Sequence, residues 1–334
     1  ESHLFFGREG QNEDILEKLA QNKFCAVIGS AGSGKSSLIY CGLIPVLYGG
    51  FIAGAGSSWE VFTTRPGNNP IENLAITLSS LETESSSEEK HIRKRIINST
   101  LKSSSYGLVE TVKNINKKRK NIFLLIDQFE ELFRYKKAST DQESFNESEA
   151  FVKLLVEAVK QQDEPIYIVI TMRSDFIGEC SQFYELTEMI NDSNYLVPQM
   201  TRDDFRKAIE GPVAVGGAQV ESQLVQQLLN EVGDNPDQLP ILQHSLMRTW
   251  DYWMDNTNRD RPLGIAEYEA IGKMEKALSE HANEAFDELT MNEKAICERL
   301  FKTITEKGND NRGIRHPTKI QQIATIAKAK PEEV

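Results

Sequence analysis

Apolar residues along this chain keep two rhythms. Five short runs, FCAVI (24–28), WEVFT (59–63), NIFLLI (121–126), PIYIVIT (165–171) and NYLV (194–197), are continuous and rich in aliphatic and β-branched side chains. Runs of this kind predict strands buried on both faces, as in a parallel sheet. Helical spacing separates them, and the alternation predicts an α/β fold on a five-stranded parallel sheet. After Thr201 the strand rhythm stops. TRDDFRKAIEGP opens on a capping threonine and is expected to close at Gly211-Pro212. Segments 221–232, 237–253 and 265–288 then read as an all-helical unit. A helix over 291–306, the polar stretch EKGNDNRG and a helix start at Pro317-Thr318 read as the front of a winged helix. The expected domains are 1–200, 201–289 and 290–334.

Two polar, serine-rich acidic stretches, 79–90 and 136–149, hold too little apolar surface to pack and are expected to be mobile. NKKRK (116–120) has the composition of a nucleic-acid signal, but a solvated loop before a strand is the expected reading. The net charge of -12 argues against a broad grip on nucleic acid. Cys25, Cys41, Cys180 and Cys297 form no CxxC pair, and three of them lie in apolar runs, as suits a reducing compartment. The most apolar stretch, CGLIPVLYGGFIAGAG, is interrupted by proline and glycine and is too short for the roughly 20 residues of a spanning helix. With no leader pattern after Glu1, the chain reads as a cytoplasmic segment of something longer, with no membrane partner.

The chemistry begins at GSAGSGKSS, residues Gly29, Ser30, Ala31, Gly32, Ser33, Gly34, Lys35, Ser36 and Ser37. It matches G-x-x-x-x-G-K-[ST] after a strand and before a helix. Glycines let backbone N–H groups converge on a phosphate without side-chain interference. Lys35 is expected to reach the β- and γ-phosphates and Ser36 to hold Mg²⁺. An apolar strand ending at Asp127 supplies the second metal-orienting oxygen. Glu130 and Glu131 follow, and either is a candidate base. Gln128 stands where many ATPases carry a catalytic glutamate, which predicts slow hydrolysis. Arg173, at the end of the fourth strand, would emerge where open parallel sheets hold ligands and would read a γ-phosphate, or else pair with Asp175. A guanine-reading N-K-x-D motif is missing. VGGAQ (215–219) falls in the wrong place for a transporter ATPase signature, and the histidines show no metal spacing. His244 is expected in a core or an interface.

Taken in order, FFGRE (5–9), the glycine-rich loop, RPG (65–67), DQFEELF (127–133), MRSDF (172–176) and LPILQHSL (239–246) closely resemble the novel-STAND subgroup of the STAND NTPases, relatives of AAA+ and NB-ARC proteins. The resemblance spans nearly the whole chain. It implies an ATP/ADP switch that closes around ADP, then opens and oligomerises with ATP, with sensor repeats and an effector domain in the parent protein. It places Gly7 and Arg8 by adenine, makes Arg173 the sensor arginine, and brings Pro240 to the nucleotide from the helical domain. The winged-helix match stops early, so any contact from its distal part is missing. A faster remodelling ATPase and a DNA-binding ATP-dependent regulator are the alternative readings.

Overall fold

The computed structural model describes residues 2–52, 55–80, 87–138, 142–161, 164–233, 238–256, 261–307, 313–315 and 318–333. Residues 81–86 and 139–141 of the stretches expected to be mobile, residue 237, most of EKGNDNRG and Pro317 lie outside them. The strands are β1 (Phe24–Gly29), β2 (Trp59–Thr64), β3 (Asn121–Ile126), β4 (Ile166–Arg173) and β5 (Asn194–Leu196), all parallel in the order β2-β3-β4-β1-β5. Around the sheet lie α1 (Gln11–Asn22), α2 (Lys35–Ser37), α3 (Ile44–Tyr48), α4 (Pro70–Ser79), α5 (Ser87–Ser103), α6 (Gly107–Ile115), α7 (Glu131–Ala138), α8 (Gln142–Lys160) and α9 (Tyr184–Asp192). Then come α10 (Arg202–Val215), α11 (Ser222–Val232), α12 (Leu239–Asn256), α13 (Ile265–Ala270), α14 (Lys273–Asp287), α15 (Met291–Ile304), the hairpin β6 (Thr305–Lys307) and β7 (Gly313–Arg315), and α16 (Ile320–Ala327).

Strand alternation explains the continuous apolar runs. Phe24, Ala26 and Ile28 of β1, with Ile122, Leu124 and Ile126 of β3, join the core under α4, α6 and α8. Cys25, Val27, Phe123 and Leu125 face the other core, under α1 and the helix after the glycine-rich loop. Each central strand therefore needs apolar residues at every position. Burial pushes the Cys25 and Cys180 thiols up to about 12, so both serve as inert packing.

The chain divides into two compact units. One takes Glu1–Leu242 with Arg259–Leu263, the other Gln243–Asn258 with Gly264–Val334. The first unit runs past residue 200 because α10 packs on the N-terminal segment. A Cβ on Gly211 would come within 2.5 Å of the Phe6 ring, and one on Gly7 within 2.4 Å of the Asp204 carbonyl oxygen. Thr201 caps α10 as expected, reciprocally with Asp204. The helix does not close at Gly211-Pro212, however. It continues through Pro212 to Val215 with Val213 buried, and Gly211 is small to admit Phe6. In the second unit, the helix expected over 265–288 is two helices. Gly272 breaks it with a left-handed φ of 81°. His244 there stacks on His281 with centroids 5.1 Å apart.

The stretches expected to be loose are partly helical: 87–90 begin α5 and 142–149 begin α8. Phe151, Val152, Leu154 and Leu155 are buried further along α8, and once such a face is packed a helix propagates cheaply into polar neighbours. In NKKRK, Asn116 closes a turn onto Lys120, and Lys120 pairs with Glu60 of β2 at 2.7 Å. No described helix is long and apolar enough to cross a membrane.

Candidate functional site

Strand register assembles the site at one sheet edge. Gly29, the last residue of β1, pairs with Arg173 of β4. Ile126 of β3 pairs with Ile170, which sets Asp127 against Thr171, and Thr64 of β2 pairs with Ile126, which sets Arg65 against Asp127. β4 thus lies between the strands that carry Gly29 and Asp127.

From Gly29 the chain turns through a cradle. Gly32 and Gly34 hold left-handed φ values of 66° and 82°, strained for any residue with a side chain. A Cβ on Gly29 would stand 2.8 Å from Ser33 Oγ and 3.6 Å from Lys35 Cδ, filling the loop's interior. Ser33 Oγ is buried with no partner among the described residues. Lys35 curls back, its ammonium donating to the carbonyls of Gly29 (3.1 Å) and Ser30 (2.7 Å). Burial pulls the Lys35 pKa down, opposed chiefly by the negative charge of Glu130. An orphaned hydroxyl, converging backbone and a lysine over the loop fit a phosphate chain.

Asp127 is fully buried and its two oxygens have different partners. Oδ1 accepts from Ser36 Oγ at 2.7 Å and from Thr171 Oγ1 at 2.8 Å. Oδ2 accepts from Arg65 Nε at 3.1 Å and Nη2 at 2.9 Å. Side by side, the Ser36 hydroxyl and the Asp127 carboxylate are hard oxygen donors of the kind Mg²⁺ takes.

The two glutamates separate. Glu130 is 5% exposed and accepts from the Arg173 backbone N–H at 3.3 Å. Burial raises its pKa, against backbone N–H groups and the charges of Lys35 and Arg173, which lower it. Glu131 points away to the RPG turn and accepts from Gly67 N at 2.9 Å. Gln128 has a left-handed φ of 56°, and its N–H donates to Thr171 Oγ1.

The Arg173 side chain forks onto Asp175 at 3.1 and 2.6 Å and lies over the Phe176 ring, so the ion pair left open by the sequence is made. Arg8, 5% exposed, donates to Ser33 O at 2.7 Å and Pro198 O at 2.6 Å, tying the glycine-rich loop to the exit of β5, and more weakly to Gln11 Oε1 at 3.4 Å. Burial lowers its pKa. Gly7 sits one residue away, against α10. Pro240 is exposed, and its neighbour Leu239 comes nearest the loop, 3.6 Å from where a Gly34 Cβ would be. Sequence reasoning gave no role to Arg65, Thr171 or Leu239. The available signal was a polar residue directly at the C-terminal end of β2 and another late in β4.

A glycine cradle after β1, an aspartate after β3 and β4 between them define a P-loop NTPase with an added strand between the two site-bearing strands. The chain belongs to the Novel STAND NTPase 1 family, whose profile matches residues 1–334. In fold it is similar to the ORC2 protein of Aeropyrum pernix. One structure, of ADPNP-ADP complexes, is 13% identical with a TM-score of 0.54, covering 88% of this chain and 73% of that one. The ADP form is 12% identical with a TM-score of 0.54, covering 95% and 78%. No curated protein matches the sequence.

Proposed function

We propose that this chain is an ATP/ADP-binding switch module with slow Mg²⁺-dependent hydrolysis, working in the cytoplasm within a longer signalling protein. The observation that carries the reading is the Ser36–Asp127 pair at 2.7 Å beside the glycine cradle. Lys35 then serves the β- and γ-phosphates, while Ser36 and Asp127 hold the metal. Bound there, Mg²⁺ would offset charge on the phosphate oxygens. Glu130 is the general base: it is the glutamate turned toward Lys35, and its raised pKa suits proton abstraction. Gly7 and Arg8 shape the adenine side through the loop backbone, and Pro240 with Leu239 closes over it. Arg173 reads the γ-phosphate by exchanging Asp175 for it, and the nucleotide-dependent exchange biases opening and self-association. The adenine-nucleotide complexes of the Aeropyrum pernix protein support the choice of adenine.

Small-angle scattering with ADP and with a non-hydrolysable ATP analogue tests the switch. A ligand shifts two conformations only by binding them unequally. The ADP complex should be the more compact, and Arg173→Ala should erase the difference. Equal radii in the unmutated protein would reduce the reading to nucleotide binding alone. GTP should displace labelled ATP poorly.

A further inference from the structure

The partners of Asp127 point beyond metal binding, to a regulation of the same site that rests on its reading as a nucleotide site. A fully buried carboxylate is costly without a positive charge beside it. Asp127 has one: the fork of Arg65, which caps Oδ2 with two hydrogen bonds. Ser36 and Thr171, on Oδ1, are neutral. A divalent ion held by the same carboxylate brings a second cation to the group Arg65 already neutralises. The two repel each other and compete for the same lone pairs.

Arg65 is built to yield. Its side chain is 57% exposed, so the guanidinium has water to rotate into. Its backbone is not free to follow. Asn73 donates to the carbonyls of Arg65 (3.3 Å) and Pro66 (2.9 Å), and Gly67 N–H donates to Glu131. Gly67 takes a left-handed φ of 57°, where a Cβ would stand 2.8 Å from the Asn73 amide. The turn is held at both ends and only the side chain is left to move. An arginine this exposed adds little to stability as a surface ion pair. Its value lies in the buried charge that it covers.

We propose that Arg65 is an internal competitor of the divalent cation at Asp127. It neutralises the carboxylate when no metal does so, and it swings out when metal and nucleotide bind together. Metal loading is thereby coupled to release of a positive side chain on the protein surface.

The test is a Mg²⁺ titration of a fluorescent ADP analogue bound to the whole chain. Arg65→Gln keeps hydrogen-bond donors without the charge, and should lower the half-effective Mg²⁺ concentration by about tenfold, within the usual range of coupling between two bound groups. Arg65→Lys keeps the charge but loses the fork, and should shift it less. In EDTA, Arg65→Gln should melt below the unmutated protein, and Mg²⁺ with ADP should recover more of its stability. Should the variants fail to fold, the unmutated protein can be treated with phenylglyoxal and mapped by peptide mass. Arg65 should react faster with Mg²⁺ and ADP than with ADP in EDTA. An unchanged or raised Mg²⁺ requirement, or equal Arg65 reactivity, overturns the competition. Lys35→Ala separates the two readings: undiminished ADP binding there would sink the site itself, whereas lost binding leaves only the arginine in question.

Discussion

Ser36 and Asp127 stand 91 residues apart in sequence, yet the serine hydroxyl donates to the aspartate at 2.7 Å. β4 separates β1 and β3, the strands that lead into them, so neither is held by pairing with the other. The contact exists because both strands end at the same edge, where loops converge on ligands in open α/β sheets.

Removing charge from one end of that contact should differ from removing Lys35. Asp127→Asn leaves the loop intact but strips Arg65 of its anion. Mg²⁺ should then no longer tighten nucleotide binding, and the protein should lose roughly 1–3 kcal/mol of stability. Lys35→Ala should abolish tight binding with or without Mg²⁺. Calorimetry with and without the metal, alongside thermal melts, checks both.

Glu130 and Glu131 should part company in kinetics. Glu130→Gln should slow single-turnover hydrolysis by about 10²–10⁴-fold while nucleotide still binds. Glu131→Ala should leave that rate nearly intact but loosen the RPG turn, changing the Mg²⁺ requirement. A reversal of the two phenotypes would move the base to Glu131.

Glu130 should also leave its mark on stability against pH. Burial raises its pKa, so the folded state holds its proton to a higher pH than the unfolded chain does. Stability attributable to this residue therefore falls as pH rises from the ordinary glutamate range through the raised value. Glu130→Gln should melt higher than the unmutated protein at neutral pH, with the gap closing in mild acid. A gap that widens in acid would contradict the assignment.

Arg8 should behave as a tie within the loop scaffold. Arg8→Ala strands the carbonyls of Ser33 and Pro198, for a cost of about 2–4 kcal/mol. Arg8→Lys should recover only part, since one ammonium cannot reproduce the fork between them. Chemical denaturation of the three proteins measures the series.

Gly7 and Gly10 share the same backbone conformation, with φ of 82° and 83°, but not the same surroundings. Gly10→Ala should cost only the left-handed penalty of about 1–2 kcal/mol, since nothing lies within 4 Å. Gly7→Ala meets the Asp204 carbonyl at 2.4 Å and should cost more, while exposing the N-terminal segment to protease. Equal melting temperatures would show that this segment is not seated on α10.

Much of the protein was already determined along the chain. The five strands fall on the five apolar runs, and for the central β1, β3 and β4 the reason is local, since a strand buried on both faces must be apolar at nearly every position. The edge strands β2 and β5 are only partly covered, and Leu196 of β5 is 65% exposed. The glycine cradle and Lys35 were legible for the same reason: one loop supplies the whole motif. What the tertiary structure alone decided depends on register. Arg65 meets Asp127 because β2 pairs with β3, and Thr171 meets it because β3 pairs with β4; no spacing in the sequence encodes either contact. Glu130 and Glu131 are chemically identical neighbours, and only the turn after β3, with Gln128 in its left-handed conformation, sends one to the Arg173 backbone N–H and the other to Gly67. Gly211 looked like a helix end because glycine before proline usually marks one; its true constraint was the ring of Phe6, some two hundred residues away, which no local rule can see.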